Sequence, residues 1–523
     1  NLNFEIFPQN IDLISKQLAL GDIRLWNTNI ALEDNTKNAD ADTTKSSQIE
    51  MPWNVSVNSF KMKNNAFAYN YDAQTAVKGF DAGHINMKRI SAGITAIRFN
   101  KDTIMANFDS LTLSEGRQFV IRQFEGSFSM KKHKLSAEDV IIRTQNSIVS
   151  FSVNSSNFNI QKVQQTMDEL YFELNIERSQ ISDKDIVYFY PAWEKTNTYG
   201  IRTVIMSANM QGNPSDLNVN SFYLNTDDIG RLSFYGQIKG LPSVKKSYAD
   251  ILIDSLYVNG NELQKHIPDT ALPQNIALPD YVNFSGNIRG GYQSAKADLS
   301  MISSAGNMGL NAQYSNDLSA DSQSFQTSIN TDGLDVSKII SKGDTFGLMS
   351  FSLIAEGKLN DFKIDQIETD FEGKDITLLG YPYSNIEFQG SYANDSVNAL
   401  FEVKDSNIIL SWKGYADLKD SVPALKAELD MKGADLEMLN LAEDQLRLAF
   451  HVSTEFKGDN PDNANGFLKL KNLNIVGRDT IHKLDSLIVD IKNQSDKVEI
   501  DVNSDFLHAS YNGSVKTSDL PSV

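Results

Sequence analysis

The residues that could do chemistry are scattered along this chain rather than gathered. Six histidines, His84, His133, His266, His451, His482 and His508, stand far apart. None has the His-x-His or His-Glu-x-x-His neighbourhood that brings two ring nitrogens to one metal ion, so their spacing predicts structural and surface roles. There is no Gly-x-Ser-x-Gly elbow, phosphate loop or dinucleotide glycine fingerprint. The 67 carboxylates are spread so evenly that spacing neither picks out nor eliminates an acid pair of the glycosidase type. The stretch Asp459-Asn460-Pro461-Asp462-Asn463 lacks the glycine and the bidentate Glu of a calcium loop, and predicts a solvated turn. Trp26, Trp53, Trp193 and Trp412 could form a sugar platform, but Trp412 shares the apolar register of Ile408 and Leu410 and reads as lining or core. No catalytic residue, metal ligand or cofactor is predicted, and the chain does not read as an enzyme.

Composition narrows the remaining classes. The chain has 523 residues, a formal charge of −19 and no cysteine. It can hold neither a disulfide nor a thiolate site, and suits an oxidising compartment as well as a reducing one. No basic block is present to neutralise a row of phosphates, which argues against nucleic acid as a partner. No run of 18 apolar residues occurs, so no segment reads as a membrane-spanning helix. Composition is uniform apart from a polar stretch from Glu33 to Gln48, expected to be disordered. Uniformity over this length points to a repeat array rather than separate globular beads.

The elements that would position any functional side chain are strands. Apolar and polar residues alternate throughout. Phe351, Leu353, Ala355 and Leu359 face one way against Ser350, Ser352, Glu356 and Lys358, with Ile354 the exception. Val282, Phe284 and Ile288 repeat the pattern, as do Leu425, Ala427, Leu429 and Met431, then Leu446, Leu448, Phe450, Val452 and Phe456, and finally Leu507, Ala509, Tyr511 and Val515. Turn-forming clusters at Asn394-Asp395, Lys404-Asp405-Ser406, Lys419-Asp420-Ser421 and Ser495-Asp496-Lys497 separate the strands and predict an antiparallel meander. Glycines inside strands, at Gly236, Gly286, Gly357, Gly390, Gly414 and Gly513, predict bulges or bends. A recurring Asp/Asn-Ser-apolar phrase at Asp109, Asn220, Asp254 and Asp485 predicts strand entrances. Four short helices are expected after Ser182, Asn261, Asp335 and Asp435, at intervals of 79, 74 and 100 residues.

These helices are too few to cover the apolar face, and a one-sided sheet must be covered by something. A second sheet, giving sandwiches, is one solution; a trough that meets an apolar ligand is the other. Packing alone favours the sandwich.

Particular phrases shift that balance. Leu334-Asp335-Val336-Ser337-Lys338-Ile339-Ile340, Phe351 through Leu359, Phe371-Glu372-Gly373, and Gly380-Tyr381-Pro382-Tyr383-Ser384-Asn385-Ile386-Glu387-Phe388-Gln389-Gly390-Ser391-Tyr392 follow one another in an order that resembles the TamB proteins of Bacteroidetes, within the AsmA-like group. Pro423 through Leu429, Lys432-Gly433-Ala434-Asp435-Leu436, Gly240-Leu241-Pro242 and Leu278-Pro279-Asp280 before Phe284-Ser285-Gly286 are similar to it as well. The resemblance covers residues 181–523, with residues 1–180 as the N-terminal part of the same β array.

The resemblance implies an all-β fold: an elongated, curved antiparallel sheet forming a β-taco-like apolar trough with a few short helices. It implies a periplasmic part of an inner-membrane-anchored protein that carries phospholipid acyl chains between inner and outer membranes. It also implies a BamA/TamA-like outer-membrane barrel as partner, with the family's N-terminal anchor and C-terminal barrel-docking domain lying outside this chain. At about 13 residues per strand and turn, roughly 40 strands are expected. Candidate lining residues are Phe234, Ile238, Val282, Phe284, Ile288, Phe351, Leu353, Leu359, Phe401, Leu410, Trp412, Leu429, Leu448, Phe450, Val452, Leu507 and Tyr511. Two rival readings stand beside it: an assembly or secretion factor for outer-membrane proteins, and a surface glycan-binding β protein.

Overall fold

A computed structural model describes residues 2–34, 53–71, 75–116, 119–131, 133–157, 170–197, 200–267, 273, 275–317, 322–340, 345–360, 363–460, 462–494, 497–515 and 517–518. The protein is mostly β, 74% strand and 5% helix, and its curved sheet is not closed. It divides into two compact units, Asn1–Ile267 and Pro268–Val523.

The first unit holds β1 (Phe4–Asp12), β2 (Gln17–Trp26), β3 (Asn29–Asp34), β4 (Asn54–Tyr71), β5 (His84–Asn100), β6 (Thr103–Glu115), β7 (Val120–Lys131), β8 (Lys134–Thr144), β9 (Ile148–Ser156), β10 (Tyr171–Ser182), β11 (Thr203–Asn213), β12 (Asp216–Thr226), β13 (Gly230–Lys239) and β14 (Tyr248–Asn259). From β4 to β14 each strand pairs antiparallel with the next. Only the entry departs from the meander, because β2 and β3 lie parallel to successive halves of β4. The ladder runs through β9, β10 and β11, so residue 181 falls inside this unit.

The second unit holds β15 (Tyr281–Gly291), β16 (Ser294–Ser303), β17 (Gly306–Asp317), β18 (Ser322–Asp335), β19 (Phe346–Asn360), β20 (Lys363–Leu378), β21 (Tyr381–Ala393), β22 (Ser396–Lys404), β23 (Ile408–Asp417), β24 (Ala424–Asp435), β25 (Leu446–Lys457), β26 (Asn465–Gly477), β27 (Ile481–Gln494), β28 (Lys497–Ser504) and β29 (His508–Gly513). These fifteen pair strictly in sequence order, all antiparallel. The described residues thus form 29 strands rather than about 40. Strands such as the 18-residue β4 and the 16-residue β20 run well beyond the expected length.

Three local expectations need correction. The Asp/Asn-Ser-apolar phrases are not strand entrances; they lie inside β6, β12, β14 and β27. At Asp109, Asn220 and Asp254 the register slips by one residue. Ser110 faces Gly93 while Phe108 faces Ile94, Ser221 faces Asn209 while Val219 faces Met210, and Ser255 faces Ser233 while Ile253 faces Phe234. The Asx residue is the extra one of a β-bulge, and the bulge puts two apolar residues three apart, such as Ile253 and Leu256, on the same face. At Asp485 both strands take the three-residue step, Leu484 and Leu487 against Leu473 and Leu470, so the register is conserved.

The strand glycines, conversely, do not mark the main bulges. At Gly286 a Cβ would lie 2.1 Å from the Asp298 carbonyl oxygen and the backbone has φ +139°, so close approach of β16 demands glycine. At Gly414 a Cβ would lie 2.5 Å from the Trp412 ring, which folds over the gap.

The helices also differ. Ser182 caps α1 (Asp183–Phe189), accepting from the Lys184 N–H as its type predicts. A second helix, α2 (Trp193–Thr196), follows. The third, α3 (Gly260–Gln264), is capped by Asn259 rather than Asn261. Asp335 leads only into a single 3₁₀ turn, Val336–Lys338. Asp435 leads into turns that bury Leu439 completely, and no helix forms there. The helical starts follow β10, β14, β18 and β24, so the intervals of 79 and 74 residues each span four strands and the longer one spans six. Of the polar stretch from Glu33 to Gln48, Glu33 and Asp34 end β3, and residues 35–48 lie outside the described residues. Ser495 and Asp496 of the last turn cluster do too.

Candidate functional site: an uncovered apolar face

Cross-strand register decides which side chains share a face. Partners in an antiparallel pair point the same way, so rows can be followed from strand to strand. In the second unit one row runs Ile329, Leu353, Phe371, Phe388, Phe401, Trp412, Leu429, Val452, Leu470, Leu487 across β18 to β27. Two residues along each strand lies a row of small side chains: Thr327, Ala355, Thr369, Gly390, Ala399, Gly414, Ala427 and Thr454. The first unit carries its own apolar row through Ile176, Ala208, Phe222, Phe234 and Ile253.

The register brings most of the candidate lining residues onto these faces. Phe234 and Ile238 share β13 in the first unit. In the second unit the rest share one face: Val282, Phe284 and Ile288 on β15; Phe351, Leu353 and Leu359 on β19; Phe401 on β22; Leu410 and Trp412 on β23; Leu429 on β24; Leu448, Phe450 and Val452 on β25; and Tyr511 on β29. Leu507 lies just before β29, two residues from Ala509, and is the most exposed of the candidates. It sits in the β28–β29 turn, 48% exposed, its carbonyl oxygen accepting from the Ser504 N–H. Ile354, the break in alternation, is 44% exposed on the opposite face, between Ser328 and Asp370.

Apart from Leu507, every candidate is half-buried, and none is fully buried. Their side chains are thus packed against their neighbours along the sheet without complete cover among the described residues. Complete burial along the second face is confined to spots such as Ile376, Ile386 and Val403, with Phe351, Phe371 and Phe401 packed around them.

Among the described residues no group of three His, Asp or Glu side chains could hold a metal ion. His84 pairs with Asp81 at 2.9 Å, and His451 lies 3.6 Å from Glu428. Asp459 and Asn463 bond one another in a turn tied to Ser518 through Asp462, as a solvated turn should be.

A dense polar network at the β22–β23 turn is structural. Asp405, 5% exposed in the β22–β23 turn, accepts from the Tyr381 hydroxyl at 2.5 Å, the Ser384 hydroxyl at 2.7 Å and the Asn407 N–H at 2.8 Å. Burial pushes its pKa up, but these hydrogen bonds outweigh burial and leave it below the usual aspartate range. Burial and the Asp405 contact raise the Tyr381 hydroxyl.

No family model matches the chain, and neither a curated protein nor a solved structure does. Its function is therefore argued from the face itself. What sequence reasoning missed is the row of small residues: each Ala, Gly or Thr looks unremarkable within its own strand, and the row exists only once register is fixed.

Proposed function

We propose that the protein is a lipid-binding groove of the TamB kind, holding phospholipid acyl chains along its apolar sheet face. The observation that carries this reading is the row from Ile329 to Leu487, ten large apolar side chains brought onto one face of ten consecutive strands, none of them completely buried. Exposed apolar surface on this scale needs an occupant. Acyl chains meet the need at about 0.8 kcal/mol per buried CH₂, while headgroups keep their water. The contact is repeated along the row, so a break in it weakens binding where it falls rather than removing a unique site.

The same reading places the protein in the periplasm, as part of an inner-membrane-anchored protein. It passes phospholipid towards the outer membrane alongside a BamA/TamA-like barrel. Native mass spectrometry of the purified chain tests its core: co-purifying phospholipid, displaced by added lipid, is expected. A lipid-free chain that binds arrayed glycans instead would overturn the reading.

A further inference from the structure

The helical excursion after β10 builds a second, separate apolar feature at the strand ends of the first unit. Asp185 fastens α1 to the β8–β9 turn: it is 6% exposed and accepts from the hydroxyls of Thr144 and Ser147, each at 2.5 Å, and from the Asn146 amide at 3.0 Å. Tyr188 stacks on Phe119 at 4.5 Å, donates from its hydroxyl to Glu115 at 3.1 Å, and accepts at its carbonyl from the Phe80 N–H. This frame holds other apolar side chains outwards. Phe189 is 59% exposed, Tyr190 56%, Val77 57% and Phe80 45%, with the Phe80 and Phe189 rings 5.8 Å apart.

A buried aspartate and an aromatic stack are substantial machinery for holding rings in water. The four residues present roughly 400 Å² together, from the usual size of such side chains. That is about half what one side of a stable protein–protein interface needs, but it is enough for a shallow membrane contact. Phe and Tyr favour the boundary between headgroups and acyl chains. The neighbouring charges lean acidic: Lys78 pairs with Glu194 at 2.5 Å, Lys184 and Lys195 stand against Asp183 and Asp185, and Asp81, which accepts from the Val77 N–H, and Glu115 add two more carboxylates.

We propose that this aromatic knob inserts into the surface of a phospholipid bilayer and seats one rim of the sheet on the membrane. The inference rests on the lipid-groove reading, which requires the groove to meet a bilayer. Because the local charge is net negative and the whole chain carries −19, zwitterionic surfaces are favoured and anionic ones repel.

Two single-tryptophan versions of the full chain separate knob from groove. One keeps Trp193 (Trp26→Phe, Trp53→Phe, Trp412→Phe) and the other keeps Trp412 (Trp26→Phe, Trp53→Phe, Trp193→Phe). Brominated phosphatidylcholine vesicles should quench Trp193, and monomeric short-chain brominated phospholipid should quench Trp412. Phe189→Ser/Tyr190→Ser should weaken vesicle partitioning at least tenfold with Trp412 quenching by monomeric lipid retained. Val77→Ser, in a loop outside the helices, should weaken it several-fold with unchanged circular dichroism. Unquenched Trp193, parent-like partitioning of both variants, or tighter binding to anionic than to zwitterionic vesicles would overturn the proposal. Loss of Trp412 quenching alone would count against the groove and leave the knob standing.

Discussion

Leu353→Asp separates binding from folding most cleanly. Leu353 lies in the middle of β19, between Ile329 on β18 and Phe371 on β20, and is half-buried. Fully burying a leucine is worth about 1.5–3 kcal/mol, so a half-buried one forfeits about 1–1.5 kcal/mol of folding stability when replaced. The new carboxylate can stay hydrated on the open face. An acyl chain crossing that point loses more: with about three CH₂ groups against Leu353 at ~0.8 kcal/mol each, about 2.4 kcal/mol of local contact disappears, close to a fifty-fold loss of affinity. The assay is transfer of fluorescent phospholipid between vesicles, with bound lipid counted by native mass spectrometry and folding followed by urea titration. Ile354→Asp is the control, since that side chain points to the opposite face and is 44% exposed. Lipid affinity should fall in Leu353→Asp alone. Equal affinity in both variants and the parent would refute the assignment of faces.

Other outcomes follow from the same structure. Gly286→Ala forces a Cβ to within 2.1 Å of the Asp298 carbonyl at φ +139°, and should destabilise the second unit by about 2–4 kcal/mol in urea unfolding. Deleting Asp254 removes a bulge and turns either Ile253 or Leu256 to the opposite face; a loss of about 2 kcal/mol should appear as a lower denaturant midpoint. Asp405→Asn should cost about 1–3 kcal/mol at pH 7, read as a lower Tm. Because the folded-state pKa of Asp405 is depressed, its contribution is present above the unfolded-state value and fades as pH falls through the folded one. The Tm gap between parent and variant should therefore close on acidification, and a constant gap from pH 7 to pH 3 would show that the charge is not involved.

How much was legible in the sequence follows from what each signal depends on. Alternation at Phe351, Leu353 and Ala355 is local, and it assigns them to the one face on which the register places them. Ser182 ahead of Asp183 and Asp185 correctly marked a helix start, because capping is decided within one turn. The phrase Ile253-Asp254-Ser255-Leu256 is visible but suggests a turn, since a bulge and a turn ask for the same residue types and differ only in what the neighbouring strand does. Asp435 carries the same cap signal as Ser182 and opens no helix, because the loop instead buries Leu439 and sends the Asn440 amide to the Leu379 carbonyl, 61 residues away. Side-chain periodicity, in short, is written within strands; register, bulges and the row of small residues are written between them.

The one-layer packing has a consequence for how such a protein can change. Contact between elements is concentrated between ladder neighbours and the short helical segments beside them. Removing a hairpin pair, such as β21 with β22, would leave the next strand facing an edge of the same direction and the same apolar side. Stability then behaves as a sum of neighbour terms, and unfolding is expected to fray from ends rather than collapse all at once. Length in such a sheet is an adjustable quantity: two strands more or fewer alter how far the face extends without redesigning any part of it.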